Sequence, residues 1–162
     1  MAAVTTDKAL TVTLPSDTQL LLTREFDAPR HLVYKAWTTP ELVRRWWSGQ
    51  RGTMTVVEID LRVGGTWRYV MEAQGGFEVA FHGEFRELVE NERIVMTEVY
   101  EAVPGEGSLD TISFTEVDGR TRLEMLMELP TQEARDMVLE SGMELGVREQ
   151  MELLEQLAIS LI

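Results

Sequence analysis

His82 and Glu84 stand two residues apart in Phe81-His82-Gly83-Glu84-Phe85, a stretch that reads as β-strand, so both side chains leave the same face. On an inward face, an imidazole beside a carboxyl could serve as an acid–base dyad near neutral pH. The alternation of Phe77, Val79 and Phe81 sends the pair outward instead, unless a bulge at Gly83 reverses the register. Glu58, Glu72, Glu98, Thr111 and Ser113 are further polar groups on predicted strands. Any of them turned inward needs a partner, and a ligand hydroxyl or amine could supply it. Asp60-Leu61-Arg62-Val63-Gly64-Gly65 is a second constellation. There Arg62 is expected to pair with a carboxylate or a carbonyl, and Gly65 to permit a bend, which gives Asp60, Arg62, Gly64 and Gly65 a structural role. It is not a phosphate loop, because it lacks the lysine and a strand rather than a helix follows. The chain has no cysteine, which excludes disulfides and thiolate chemistry, and its histidines are only His31 and His82. No metal site and no cofactor are predicted.

These residues need elements to hold them. Residues 18–26 read as a strand, and 9–14 as a shorter one joined to it through the turn composition Pro15-Ser16-Asp17. Pro29 suits the first turn of a helix, and Leu32, Val33, Ala36 and Trp37 then make one helical stripe. Thr39-Pro40 repeats the start signal for a second short helix carrying Leu42, Val43, Trp46 and Trp47. Six strands are predicted next, at 54–60, 66–73, 77–88, 93–101, 108–117 and 120–129. Short glycine-bearing connections such as Gly75-Gly76 and Asp118-Gly119 make them an antiparallel meander. Thr131 can cap a carboxyl-terminal helix, which Gly142 and Gly146 interrupt or allow to pack closely. From Met143, the apolar residues Val147, Met151, Leu154, Leu157, Ala158 and Leu161 recur at helical spacing. The 162 residues read as one domain, with 1–9 expected to be a flexible segment.

A curved sheet covered by one helix can enclose space. Trp37, Trp67, Tyr69, Met71, Met125, Met127, Met143, Val147 and Met151 would line it, and thioethers adapt to irregular contents. A filled core has the same periodicity as a pocket lining, so both readings stand. Trp46 is expected to pack with Leu42, and Trp47 to help form the pocket mouth or an exposed contact.

Charge restricts the partners. The chain carries 28 acidic and 15 basic residues, a formal net charge of −13. Such a surface repels nucleic-acid phosphates and anionic lipid, so neither nucleic acid binding nor membrane insertion is expected. Residues 1–52 hold 7 basic and 5 acidic residues and could offer a locally basic face to a protein partner. Residues 1–9 lack a basic segment followed by an apolar stretch and do not read as a signal peptide. A cytoplasmic monomer or weak homodimer is the expectation.

In order along the chain, Phe26-Asp27-Ala28-Pro29-Arg30, Val33, Ala36-Trp37-Thr38, Pro40-Glu41 and Trp46-Trp47 closely resemble the opening of proteins homologous to the carboxyl-terminal domain of the activator of Hsp90 ATPase. Asp60-Leu61-Arg62-Val63-Gly64-Gly65-Thr66-Trp67 is similar to that family's central motif. Gly83, Phe85, Glu87, Arg93-Ile94-Val95, Thr97-Glu98 and Thr121-Arg122-Leu123 match the strands that follow. The resemblance runs from about residue 20 to 158 and implies an α+β helix-grip fold of the START and Bet v 1-like superfamily. That fold is a seven-stranded antiparallel sheet wrapped around a long carboxyl-terminal helix, with two short helices between strands one and two. It also implies a cavity of the kind that holds lipids, sterols or other hydrophobic molecules, although some members are enzymes. Hsp90 activation does not transfer on the name alone. Relatives often carry Gly-Trp in the last helix, where this chain has Gly142-Met143 and Gly146-Val147, so ligand identity cannot be borrowed.

The sequence therefore reads first as a binding protein for a small hydrophobic or amphipathic molecule rather than as an enzyme. A protein-interaction module, stress- or chaperone-associated, is the second reading. An enzyme acting on a hydrophobic small molecule through an inward-facing His82 and Glu84 is the third.

Overall fold

In the strand regions large apolar side chains recur at every second residue, and one long sheet gathers most of them on one face. The computed structural model describes residues 9–103 and 105–162. Eight strands form that sheet: β1 (Thr11–Thr13), β2 (Gln19–Phe26), β3 (Gly52–Ile59), β4 (Thr66–Ala73), β5 (Glu78–Val89), β6 (Arg93–Tyr100), β7 (Ser108–Val117) and β8 (Arg120–Glu128). Their spatial order is β1-β2-β8-β7-β6-β5-β4-β3, antiparallel throughout. The meander from β3 to β8 follows the short connections, and the long excursion through the helices returns β2 to the side of β8.

The sheet has eight strands where the family resemblance implied seven. The extra one is β1, which pairs Thr11 with Thr23 and Thr13 with Leu21 at the sheet edge. It precedes the turn at Pro15-Ser16-Asp17 and is too short to change the architecture. Of the expected flexible segment, residues 1–8 lie outside the described residues. Leu10 is buried with Leu20, Leu22, Met127 and Leu129.

Two helices, α1 (Arg30–Thr38) and α2 (Pro40–Val43), separate β2 from β3. Pro29 sits at the N-cap of α1 with extended dihedrals, and α2 begins on Pro40, where a missing N–H costs nothing. The carboxyl-terminal helix is divided into α3 (Gln132–Glu140) and α4 (Met143–Ser160). Thr131 caps α3 by accepting from the Ala134 amide at 3.0 Å. Gly142, at φ +82°, then breaks the helix, a conformation that side chains other than glycine adopt at a cost. Among the described residues no helix is long and apolar enough to cross a membrane.

The core lies between the concave sheet face and the helices. Its fully enclosed members include Phe26, Val33, Val43, Ile94, Ile112 and Leu154. The backbone of α4 approaches α1 and α3 most closely, so long side chains bridge the space between helix and strands. A buried ion pair fixes α4 at its far end. Arg24 on β2, 3% exposed, lies 3.5 Å from Glu155, and the same carboxylate accepts from the Asp27 amide at 2.9 Å. The convex face is solvated and laced with ion pairs such as Arg86–Glu84 and Arg93–Glu87.

Candidate functional site

Strand register decides which polar groups enter the interior. His82 is paired with Arg68 and Val99, and Trp67 with Gly83, so Trp67, Tyr69, Phe81, Gly83 and Phe85 face inward while His82 and Glu84 face outward. His82 Nδ1 lies 2.9 Å from Glu101 Oε2, and Arg68 grips the same carboxylate through two hydrogen bonds of 2.9 and 3.0 Å. These two neighbours, Arg68 first, hold Glu101 down to about 2. Glu84 pairs instead with Arg86, at 2.8 Å. The two candidates thus sit on the convex face with separate partners and form no dyad. Glu58 and Glu72 are also exposed.

The residues expected to line a cavity converge. Trp37, Trp67, Tyr69, Met71 and Met151 share the main core cluster, and Met125 and Val147 pack against it. Met127 belongs to the adjoining cluster around Leu20 and Leu22, where Met143 is half-buried. A chain of rings leads from the interior outward. Trp67 contacts Tyr69 at 4.7 Å, Tyr69 contacts Trp47 at 5.5 Å, Trp47 contacts Phe81 at 5.4 Å, and Phe81 stacks on the exposed Tyr100 at 4.9 Å. Trp47 also holds α4, since its carbonyl accepts from Gln150. Trp46 is instead buried against Trp37 and donates its indole N–H to the Ala36 carbonyl at 3.0 Å.

The interior face also carries acid. Glu98 lies opposite Ser108 across β6 and β7, and Asp110 lies opposite Met96 and Met127. Glu98 and Asp110 are therefore diagonal neighbours on one face. Asp110 is fully buried. Its Oδ1 accepts from the Ser108 hydroxyl at 2.7 Å, while its Oδ2 meets no hydrogen-bond donor among the described residues. Burial, and after it the charge of neighbouring Glu98, push Asp110 well above the usual carboxylate range. Of the two carboxyls, Asp110 is therefore the one that keeps its proton. Burial, and after it the Glu98 charge, likewise raises the Tyr69 phenol.

Glycine makes this arrangement possible. Gly83 occupies the rung between Trp67 and Glu98, and a Cβ there would stand 1.8 Å from the Thr97 carbonyl oxygen and 2.6 Å from Trp67 Nε1. The bare backbone lets the indole cross it and donate to that carbonyl at 3.2 Å. The sequence reading included Glu98 among polar groups in want of a partner but passed over Asp110. Its signal was present, since Ser108 and Asp110 share strand parity with Ile112 and Phe114.

Asp60 and Arg62 form an exposed ion pair at 2.9 Å in the turn before β4. Gly64 donates to the Phe85 carbonyl at 2.8 Å and Gly65 accepts from the Phe85 amide at 2.9 Å, so this turn is zipped to β5. Two surface concavities include no residue of α4: one lies around Gln50, Glu72 and Gln74, and the other, around Thr97, Leu109 and Glu128, reaches Ser108, the partner of Asp110. No group of acidic and histidine side chains suited to a metal ion occurs among the described residues.

Comparison with known proteins agrees with this geometry. The family model for Activator of Hsp90 ATPase homolog 1-like protein matches residues 27–158. A crystal structure of a Rhodobacter sphaeroides protein is 27% identical, covers 94% of this chain and 99% of its own, and superposes with a TM-score of 0.88. A Mycobacterium smegmatis protein is also 27% identical, with the same coverage of 94% and 99% and a TM-score of 0.83. An Aeromonas hydrophila protein described by the same family name, 18% identical over 87% of this chain and 93% of its own, shares the fold with a TM-score of 0.65. No curated protein matches the sequence.

Proposed function

The chain belongs to the family of Activator of Hsp90 ATPase homolog 1-like proteins, and from that premise we propose that it holds a small hydrophobic or amphipathic molecule between its sheet and α4. The observation that carries this reading is the interior face itself. Methionines and aromatic rings fill the gap between strands and a helix whose backbone rests mainly on other helices. Such side chains rearrange at low cost, and burying apolar ligand surface among them supplies affinity. The row Tyr69, Trp47, Phe81 and Tyr100 marks the way in, because it passes from the core to an exposed ring. His82 and Glu84, outward and separately paired, lend no support to catalysis at that pair.

The test is native mass spectrometry of protein purified gently from its own host, paired with denaturing spectra of the same sample. An added mass that disappears on denaturation supports the cage and identifies its content. A bare mass, together with no saturable uptake of apolar probes, overturns the reading in favour of a filled core and a protein-contact role.

A further inference from the structure

The concave face carries an acidic pair, fully buried Asp110 beside half-buried Glu98, with no cation paired to it among the described residues. Arg24 and Arg135 are the buried cations among the described residues, and both are committed elsewhere. Arg24 pairs with Glu152 and Glu155, and Arg135 bonds Asp136 and the Ser16 carbonyl. The side-chain partner of Asp110 Oδ1 is a neutral hydroxyl, and Oδ2, fully enclosed, finds no donor. Glu98 is flanked in its rung by Gly83 and Ser108, two small neighbours.

Resting on the reading of this interior as a ligand cage, we propose that its ligand is an apolar molecule bearing a protonated amine, with the ammonium group seated between Glu98 and Asp110. The surroundings fit such a group on three counts. When Asp110 gives up its proton to solvent on binding, two carboxylates supply acceptors where an unpaired charge is costly, and the ammonium satisfies the oxygen that the protein leaves without a donor. Trp67 and Tyr69, in mutual contact on the same face, are aromatic neighbours of the kind that attracts cations. Met96 and Met127 flank Asp110 on the adjacent strands and give the apolar part a deformable wall. A carboxylate ligand would meet like charge here, and a neutral alcohol would leave Glu98 without a counter-ion.

Binding of decylamine, decanol and decanoate, each below its micellar range, decides the question. Intrinsic tryptophan fluorescence gives the affinity and native mass spectrometry the stoichiometry. The expected result is one decylamine per chain, bound at least about tenfold more tightly than decanol, with decanoate weaker than both. The double variant Glu98→Gln/Asp110→Asn should lose the amine preference and keep its decanol affinity. Because it keeps the size and polarity of both side chains and relieves their mutual repulsion it is expected to fold, which a cooperative melt verifies. An equal affinity for amine and alcohol overturns the proposal, as does an amine preference that survives in the double variant. The latter would reflect general attraction to a chain of net charge −13. In either case, decanol bound at one per chain leaves the cage reading standing. Failure of all three probes to bind overturns the cage and the amine site together.

Discussion

Asp110 is the residue whose chemistry departs furthest from its type. Its raised proton affinity arises from burial and from Glu98, so the folded state binds a proton that the unfolded chain releases near pH 4. That contribution to stability is complete below the unfolded value and is lost as pH rises through the folded one. Asp110→Asn removes the linkage. Its melting temperature is therefore expected to exceed that of the parent most at pH 8 and least near pH 4, as thermal melts across that range would show. Glu101 has the opposite sign. Arg68 and His82 depress it to about 2, so its favourable pairing is present above the ordinary glutamate range and disappears as the solution is acidified toward 2. Arg24 and Glu155 raise a different issue, because breaking a buried pair leaves a charge without its partner. Arg24→Ala is expected to cost about 3 kcal/mol in urea denaturation. A loss below about 1 kcal/mol would mean that water replaces the guanidinium.

Among the elements, β5 depends on one backbone approach. Gly83→Ala forces a methyl group against the Thr97 carbonyl and displaces the Trp67 indole, so it is expected to cost about 2–3 kcal/mol and to alter tryptophan emission. Helix α3 depends on its cap. Thr131→Ala removes the acceptor for the Ala134 amide and should cost about 1 kcal/mol, measured by the same denaturation. The sequence indicated every long strand and both short helices, because alternation and proline placement act locally. It treated the carboxyl-terminal helix as one amphipathic element with glycine irregularities. The break at Gly142 depends on a left-handed backbone that sequence permits but does not require.

For the whole molecule, ligand binding and folding are one equilibrium. A cargo bound in the cage only by the folded chain stabilises it by about 2.7 kcal/mol at a free concentration of one hundred times Kd. Melting temperature should therefore climb with decylamine concentration in the parent and respond far less in Glu98→Gln/Asp110→Asn. A parallel rise in both proteins would locate the amine on the acidic exterior. The exterior and the interior make different demands on charge. On the convex face, Arg68, Glu101 and His82 satisfy one another in contact with water, whereas on the concave face Asp110 is buried beside Glu98 without a cation.

By itself the sequence determined the element order, the apolar stripe of α4 and the set of methionines and aromatics that meet inside, since side-chain period follows from local geometry. Its central motif and paired tryptophans also carried the family resemblance, which implied the helix-grip class. Only the tertiary structure decided that Arg24 is buried under α4. It also decided that no bulge at Gly83 reverses the outward placement of His82 and Glu84, and that Glu98 and Asp110 meet inside. The physical reason is register. A strand presents two faces at every position, and only its pairing with neighbours and the helix laid across one face determine which side chains leave water.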